Sequence, residues 1–200
     1  MSGARIGVFG GTFDPIHVGH LYLAEAAAES AGLERVLFVP VAAPGHREAH
    51  AAAVHRRAMT ELAIAGNARF TLDETGMEQP SPAYTADTLA LMRRRYPNAA
   101  LSFIAGIDSL TRSRWRRLEE VATQLDRFLV AARDGVDDGE LAPVIADLAP
   151  DLRARFQRIN VLMTDVSSTA IRALIGKRRS VRYLVPEAVI AYIETHGLYR

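Results

Sequence analysis

A chain of 200 residues with 49% apolar side chains is long enough to bury a sizeable core, and its formal charge of +1 argues against wholesale binding of nucleic acid. The absence of cysteine excludes disulfide scaffolds, iron–sulfur clusters and thiol catalysis, and fits a reducing compartment. No stretch has the ~20 apolar residues a membrane span needs, and the N-terminus enters a strand pattern directly, so a cytoplasmic protein with no membrane or nucleic-acid partner is expected.

In chain order, Arg5 to Phe9 reads as a buried strand and Val18 to Ala31 as the helix after it. Arg35 to Val41 is a second strand, Val54 to Ala65 a helix, Phe70 to Asp73 a third strand and Thr85 to Tyr96 a helix. Ala100 to Ala105 is a fourth strand, a helical stretch surrounds Trp115 to Leu125, and Arg127 to Ala132 is a fifth strand. Glu140 to Phe156 is a helical pattern broken by Pro143 and Pro150, and Arg158 to Met163 is the last strand. Two helices close the chain, Thr169 to Lys177 and Glu187 to His196, the second set by Pro186 and Gly197. This alternation specifies an α/β fold: one Rossmann-like, doubly wound parallel sheet with helices on both faces. It is expected to form a single domain over 1–200 with a C-terminal helical portion from about residue 167. The arginines at 93–95 and the basic run at 177–179 read as solvated helix faces, and the sequence leaves a homo-oligomer open.

Ligands of an open parallel sheet bind beyond the carboxyl ends of its strands, so the residues following each strand are the candidates. After the first strand, Gly10 and Gly11 are expected to turn the backbone sharply against a ligand. His17 and His20, at i and i+3 in the first helical turn, share a face where free N–H groups favour anions. Basic residues there run against the helix dipole, which points to a phosphate. A plain glycine turn and half a zinc site are the competing readings, the latter lacking cysteine or a second HxxH. After the second strand, the stretch Ala42 to Ala53 reads as a mobile, lid-like loop and supplies His46 and Arg47. Gly106 and Asp108 follow the fourth strand, where Asp108 can accept ribose hydroxyls, and Arg133 follows the fifth. After the sixth, Ser167 or Ser168 can cap a helix whose first turn carries Thr169 and Arg172; standing alone the serines would read as a simple N-cap, but beside the first motif they read as a second phosphate site. His55 and Arg56 read as ties to a neighbouring loop, His50 as a solvated loop residue, and Tyr96, Tyr183, Tyr192 and Tyr199 as packing.

Taken together, GGTFDPIHVGH, the PxHR at 44–47, HRRAM at 55–59, YTADTL at 84–89, GID at 106–108, SSTAIR at 167–172 and the final GLYR resemble the bacterial nicotinate mononucleotide adenylyltransferases of the HxGH nucleotidyltransferase superfamily. The resemblance runs nearly end to end. It implies in-line attack of the nicotinate mononucleotide phosphate on the α-phosphorus of ATP, with pyrophosphate leaving and nicotinate adenine dinucleotide formed. It implies catalytic roles for His17, His20, Arg47 and Arg172, and nucleotide contacts from Gly10, Gly11, Thr12, Phe13, Gly106, Asp108, Ser168 and Thr169. It assigns the acceptor to His46, Arg47, Thr85, Trp115, Arg116 and Arg133, with Trp115 stacking on the pyridine ring. The lone tryptophan is also readable as core. Arg116 stands where the family often has an aromatic residue, a cation that favours nicotinate, and Gly45 replaces a proline of the lid. Mg²⁺ is expected to arrive with ATP, the motifs offering no carboxylate cage and no metal ligands of their own. The alternatives are a sister transferase acting on nicotinamide mononucleotide or pantetheine phosphate, and a non-catalytic nucleotide sensor.

Overall fold

Strand-forming runs that alternate between two apolar faces dictate the architecture. In a computed structural model, residues 3–43, 48–78, 84–111, 115, 117–132, 138–162 and 166–200 are described. Along the chain lie β1 (Arg5–Gly11), α1 (Val18–Ala31), β2 (Arg35–Pro40), α2 (Ala53–Ile64), β3 (Phe70–Leu72), α3 (Thr85–Arg95), β4 (Ala100–Gly106) and α4 (Ile107–Thr111). They are followed by α5 (Leu118–Thr123), β5 (Arg127–Ala132), α6 (Ala142–Ile145), α7 (Pro150–Arg153), β6 (Phe156–Asn160), α8 (Ser168–Gly176) and α9 (Glu187–Thr195). The six strands form one sheet in the order β3-β2-β1-β4-β5-β6, every pair parallel.

Side-chain alternation sends the sheet's apolar residues into two cores. Phe9, Val36, Phe38, Ile104, Leu129 and Ala131 meet α1, α2, α8 and α9 on one face. Ile6, Val8, Leu37, Leu101, Phe103, Phe128 and Val130 meet α3, α4, α5 and α6 on the other. The expected doubly wound α/β fold is therefore the observed one. Successive strands are added outward from β1 on one side and from β4 on the other, so the strand order reverses between β1 and β4 and a crevice opens above their carboxyl ends.

Several boundaries differ from expectation. β6 begins at Phe156, two residues before Arg158, because Phe156 stacks on Phe128 at 4.7 Å and extends the pairing with β5. The stretch around Trp115 becomes helical only at Leu118, and Arg117 precedes α5 with φ of 62°. The short α4 and a 3₁₀ turn at Glu74–Gly76 had no periodic signal, being about one turn long. Among the described residues, no helix is long and apolar enough to cross a membrane.

Phe128 packs between Phe103, Trp115 and Phe156, with centroids 5.3, 5.5 and 4.7 Å away. Phe128→Ala should lower the unfolding free energy by about 3–5 kcal/mol. It should also shift the emission of Trp115, the chain's one tryptophan; chemical denaturation followed by fluorescence measures both.

Candidate active site

The turn after β1 is made differently from the sequence expectation. Gly10 and Gly11 are still in the strand, paired with Val39 and Pro40, and neither has a positive φ. The reversal is carried by Phe13, at φ 48°, followed by a cis Asp14–Pro15 peptide. Gly11 is required for another reason: a Cβ there would come within 2.7 Å of the Phe13 ring. Gly10 borders the Phe103 ring, which a Cβ there would meet at 3.6 Å, an ordinary van der Waals contact.

His17 is the N-cap of α1, not a member of its first turn, and His20 is the third helical residue. The two rings nonetheless meet, centroids 3.7 Å apart. The His17 N–H donates to His20 Nδ1 at 3.2 Å, the return bond of a capping box with imidazole in place of glutamate. A neutral His20 ring with Nδ1 accepting carries its proton on Nε2. His20 also sits edge-on to Phe13 at 5.2 Å, which fixes its plane. His17 is buried, its Nδ1 has no hydrogen-bond partner, and burial pulls its pKa from 6.5 down to about 4. The expected cation in the first turn is thus a neutral ring at pH 7. Nor are all first-turn amides open, since Val18 N–H donates to the Leu184 carbonyl at 3.0 Å.

Asp14 and Arg56 organise what surrounds this turn, and neither was among the expected site residues. The buried Asp14 carboxylate accepts from His50 N at 2.7 Å, Ala51 N at 3.1 Å and the Tyr199 hydroxyl at 2.8 Å. Burial opposes its ionisation, but these donors and nearby Arg172 outweigh that and hold its pKa below the usual carboxylate value. Tyr199, half-buried beside the carboxylate, has its pKa raised by desolvation and by its bond to Asp14. The Arg56 guanidinium, also buried, donates to the carbonyls of Thr12 at 2.9 Å, Val41 at 2.7 Å, Ala42 at 2.6 Å and Ala51 at 3.0 Å. The tie expected of Arg56 is real. It fastens both flanks of the expected lid, while His46 and Arg47 lie outside the described residues. His50 keeps a solvated side chain, as expected, while its backbone N–H is committed to Asp14.

Ser167 caps α8, its Oγ accepting from Ala170 N at 3.2 Å. That frees Ser168 to donate to the Pro15 carbonyl at 2.9 Å, so α8 begins against the turn after β1. Arg172 is the fifth helical residue, one residue later than expected; its Nη1 donates to the Asp14 carbonyl at 2.7 Å and Nη2 to Thr169 Oγ1 at 3.3 Å. His50, Thr169, Arg172, Tyr199 and Arg200 line an open cleft there. The fold thus brings Gly10, Gly11, Thr12, Phe13, His17 and His20 together with Ser168, Thr169 and Arg172.

Farther along the crevice, Asp108 is exposed at the start of α4, next to Gly106 at the end of β4. Trp115 is held by its Nε1–H, which donates to the Ser109 carbonyl at 2.8 Å, and packs edge-on against Phe103 at 5.7 Å. Phe103 thereby joins the tryptophan to Gly10. Thr85 opens α3, and Asp87 of the same turn pairs with Arg117 at 2.8 Å, tying the Trp115 segment to that helix. Arg116 and Arg133 lie outside the described residues. Among the described residues, no three His, Cys, Asp or Glu side chains are grouped to hold a metal ion.

This is the arrangement of a nucleotide-directed α/β protein, and the family model described as cytidylyltransferase-like matches residues 8–174. A probable nicotinate-nucleotide adenylyltransferase of Thermus thermophilus is 44% identical over 98% of this chain and 100% of its own length. Another of that name, from Thermomicrobium roseum, is 40% identical over 98% of this chain and 92% of its own. A solved Plasmodium falciparum nicotinic acid mononucleotide adenylyltransferase, complexed with NaAD, shares the fold at TM-score 0.78 and 20% identity, covering 98% of this chain and 97% of that one. The chain belongs to the cytidylyltransferase-like family and, within it, to the nicotinate-nucleotide adenylyltransferases.

His17 makes stability pH-dependent with a definite sign. The unfolded chain takes a proton on this ring near 6.5, the folded chain only near 4, so lowering pH through that window favours unfolding. The contribution is complete above 6.5. His17→Asn should flatten the fall in denaturation midpoint between pH 6.5 and 4, read by denaturant titration across that range.

Proposed function

We propose that the chain transfers the adenylyl group of MgATP to the phosphate of nicotinate mononucleotide, releasing pyrophosphate and forming nicotinate adenine dinucleotide in NAD biosynthesis, as one catalytic domain working in the cytoplasm. The observation that carries this reading is the apposition of two helix starts: Ser168 on Pro15 and Arg172 on Asp14 bring α8 against the turn that leads into the His17–His20 pair. Relatives bearing that activity in their names align over nearly the whole chain.

A phosphate monoester is already a nucleophile at neutral pH, so the work is to align two anions and neutralise charge building on the leaving oxygens. In this reading His20 donates through Nε2–H as a neutral ring, its direction set by the His17 N–H, and the buried His17 ring packs beside it. Arg172 supplies positive charge, joined by Arg47, and Thr169 and Ser168 flank it. Asp108 takes the adenosine ribose, and Gly10, Gly11, Thr12, Phe13 and Gly106 surround the nucleotide. The acceptor's pyridine ring lies against Trp115, with Thr85, His46, Arg116 and Arg133 about its carboxylate and phosphate. In this reading Mg²⁺ enters with ATP and would offset phosphate charge.

Pyrophosphate release from MgATP, measured with each acceptor in turn, tests the assignment. Nicotinate mononucleotide should be preferred over its nicotinamide counterpart and over pantetheine phosphate, and should change Trp115 fluorescence on binding. Failure of every acceptor to give release would leave a nucleotide sensor. His20→Ala should lower kcat about 10²–10³-fold through a lost transition-state donor. It should also cost about 1 kcal/mol of stability through the lost cap, measured by steady-state kinetics and thermal melting.

A further inference from the structure

Tyr199 was expected only to pack, yet it ends in a hydrogen bond at the centre of the site. Its backbone is in the left-handed region, φ 64°, a conformation a bulky residue adopts only when its surroundings hold it there. The hydroxyl donates to Asp14 Oδ1 at 2.8 Å, and the same carboxylate takes the amides of His50 and Ala51. Asp14 also presents its carbonyl to Arg172 Nη1 at 2.7 Å. One residue therefore carries the tail on its side chain and the phosphate-directed guanidinium on its main chain.

We propose that Tyr199 is a positioning residue for adenylyl transfer: by holding the Asp14 side chain it fixes the residue on which Arg172 rests and the backbone at 50–51 that leads into α2. The proposal rests on the reading of Arg172 as a phosphate-binding group. Removing the hydroxyl leaves Asp14 with the His50 and Ala51 amides and lets residue 14 rotate, so Arg172 loses its fixed direction without losing its charge. The groups facing the carboxylate are His50, with Nδ1 at 3.4 Å, Arg172 at 3.9 Å, Tyr199 and the buried Arg56. Taking away one donor moves the Asp14 pKa up, toward the value burial alone would give.

The test is a kinetic double-mutant cycle of Tyr199→Phe and Arg172→Ala, with kcat expressed per folded molecule. Tyr199→Phe keeps the ring and should lower kcat about tenfold, the size expected for one hydrogen bond to a charged group. The acid limb of its kcat–pH profile should move to higher pH. In the Arg172→Ala background the same change should have almost no further effect, because the tail acts through that arginine. Independent, multiplying effects, or a Tyr199→Phe enzyme within twofold of wild type, would overturn the proposal. If Tyr199→Phe does not fold, Asp14→Asn enters the same cycle with the same two outcomes. A loss confined to the Arg172→Ala arm supports Arg172 and sinks Tyr199; an Arg172→Ala enzyme as active as wild type sinks the reading of Arg172 itself.

Discussion

A carboxylate taken out of water must be met by donors, and Asp14 is met from every side: two consecutive amides at 50–51, the Tyr199 hydroxyl and the neighbouring Arg172. A buried charge left unmatched costs several kcal/mol. That cost is what obliges three distant segments to converge on the turn after β1. Arg56 on the Thr12 carbonyl and Ser168 on the Pro15 carbonyl hold the rest of that turn, in which Phe13 takes a left-handed backbone. Arg56 does the complementary work with opposite sign, gathering four carbonyls that no strand or helix satisfies. A lysine could not replace it, because an ammonium cannot span four acceptors in a fork.

The two cores and the site are separable in their demands. Apolar alternation fills both faces of the sheet, whereas the crevice above β1 and β4 is built from polar contacts to backbone carbonyls and to the Asp14 carboxylate. Rings in the crevice are oriented by packing: His20 against Phe13, and Trp115 against Phe103 and Phe128. In the proposed mechanism this division has a chemical meaning. Neutral imidazoles and oriented N–H groups meet the anions with little reorganisation, and the permanent charge sits on arginine.

Much of this was legible in the sequence because it follows from period and punctuation. Apolar runs between helical patterns placed all six strands, and α1 was expected at its observed limits. The HVGH spacing did bring two rings together, and SSTAIR did set a helix start against the turn that precedes them. Legibility stopped where a residue acts through long-range hydrogen bonds. Nothing local marks Asp14 as a buried hub, Arg56 as a fourfold donor or Tyr199 as a closing strap, since their partners lie far away in sequence. Local chemistry also misassigned the turn: glycines were expected to make it, yet the Phe13 ring needs Gly11 bare and takes the strained backbone itself. His17 read as a cation because exposure cannot be seen in a string, and burial makes it neutral.

The Asp14–Tyr199 hydrogen bond joins residues 185 positions apart. Closing so long a loop contributes late in folding, after the local contacts of the sheet. Synthesis is vectorial, so all six strands and both histidines emerge from the ribosome before α9 and the tyrosine beyond it. A nascent chain can therefore possess a finished sheet and an unfinished junction, with the phosphate-directed turn waiting for its last donor. In that sense the order of translation and the order of assembly coincide, and the fold completes its crevice with the segment it makes after α9.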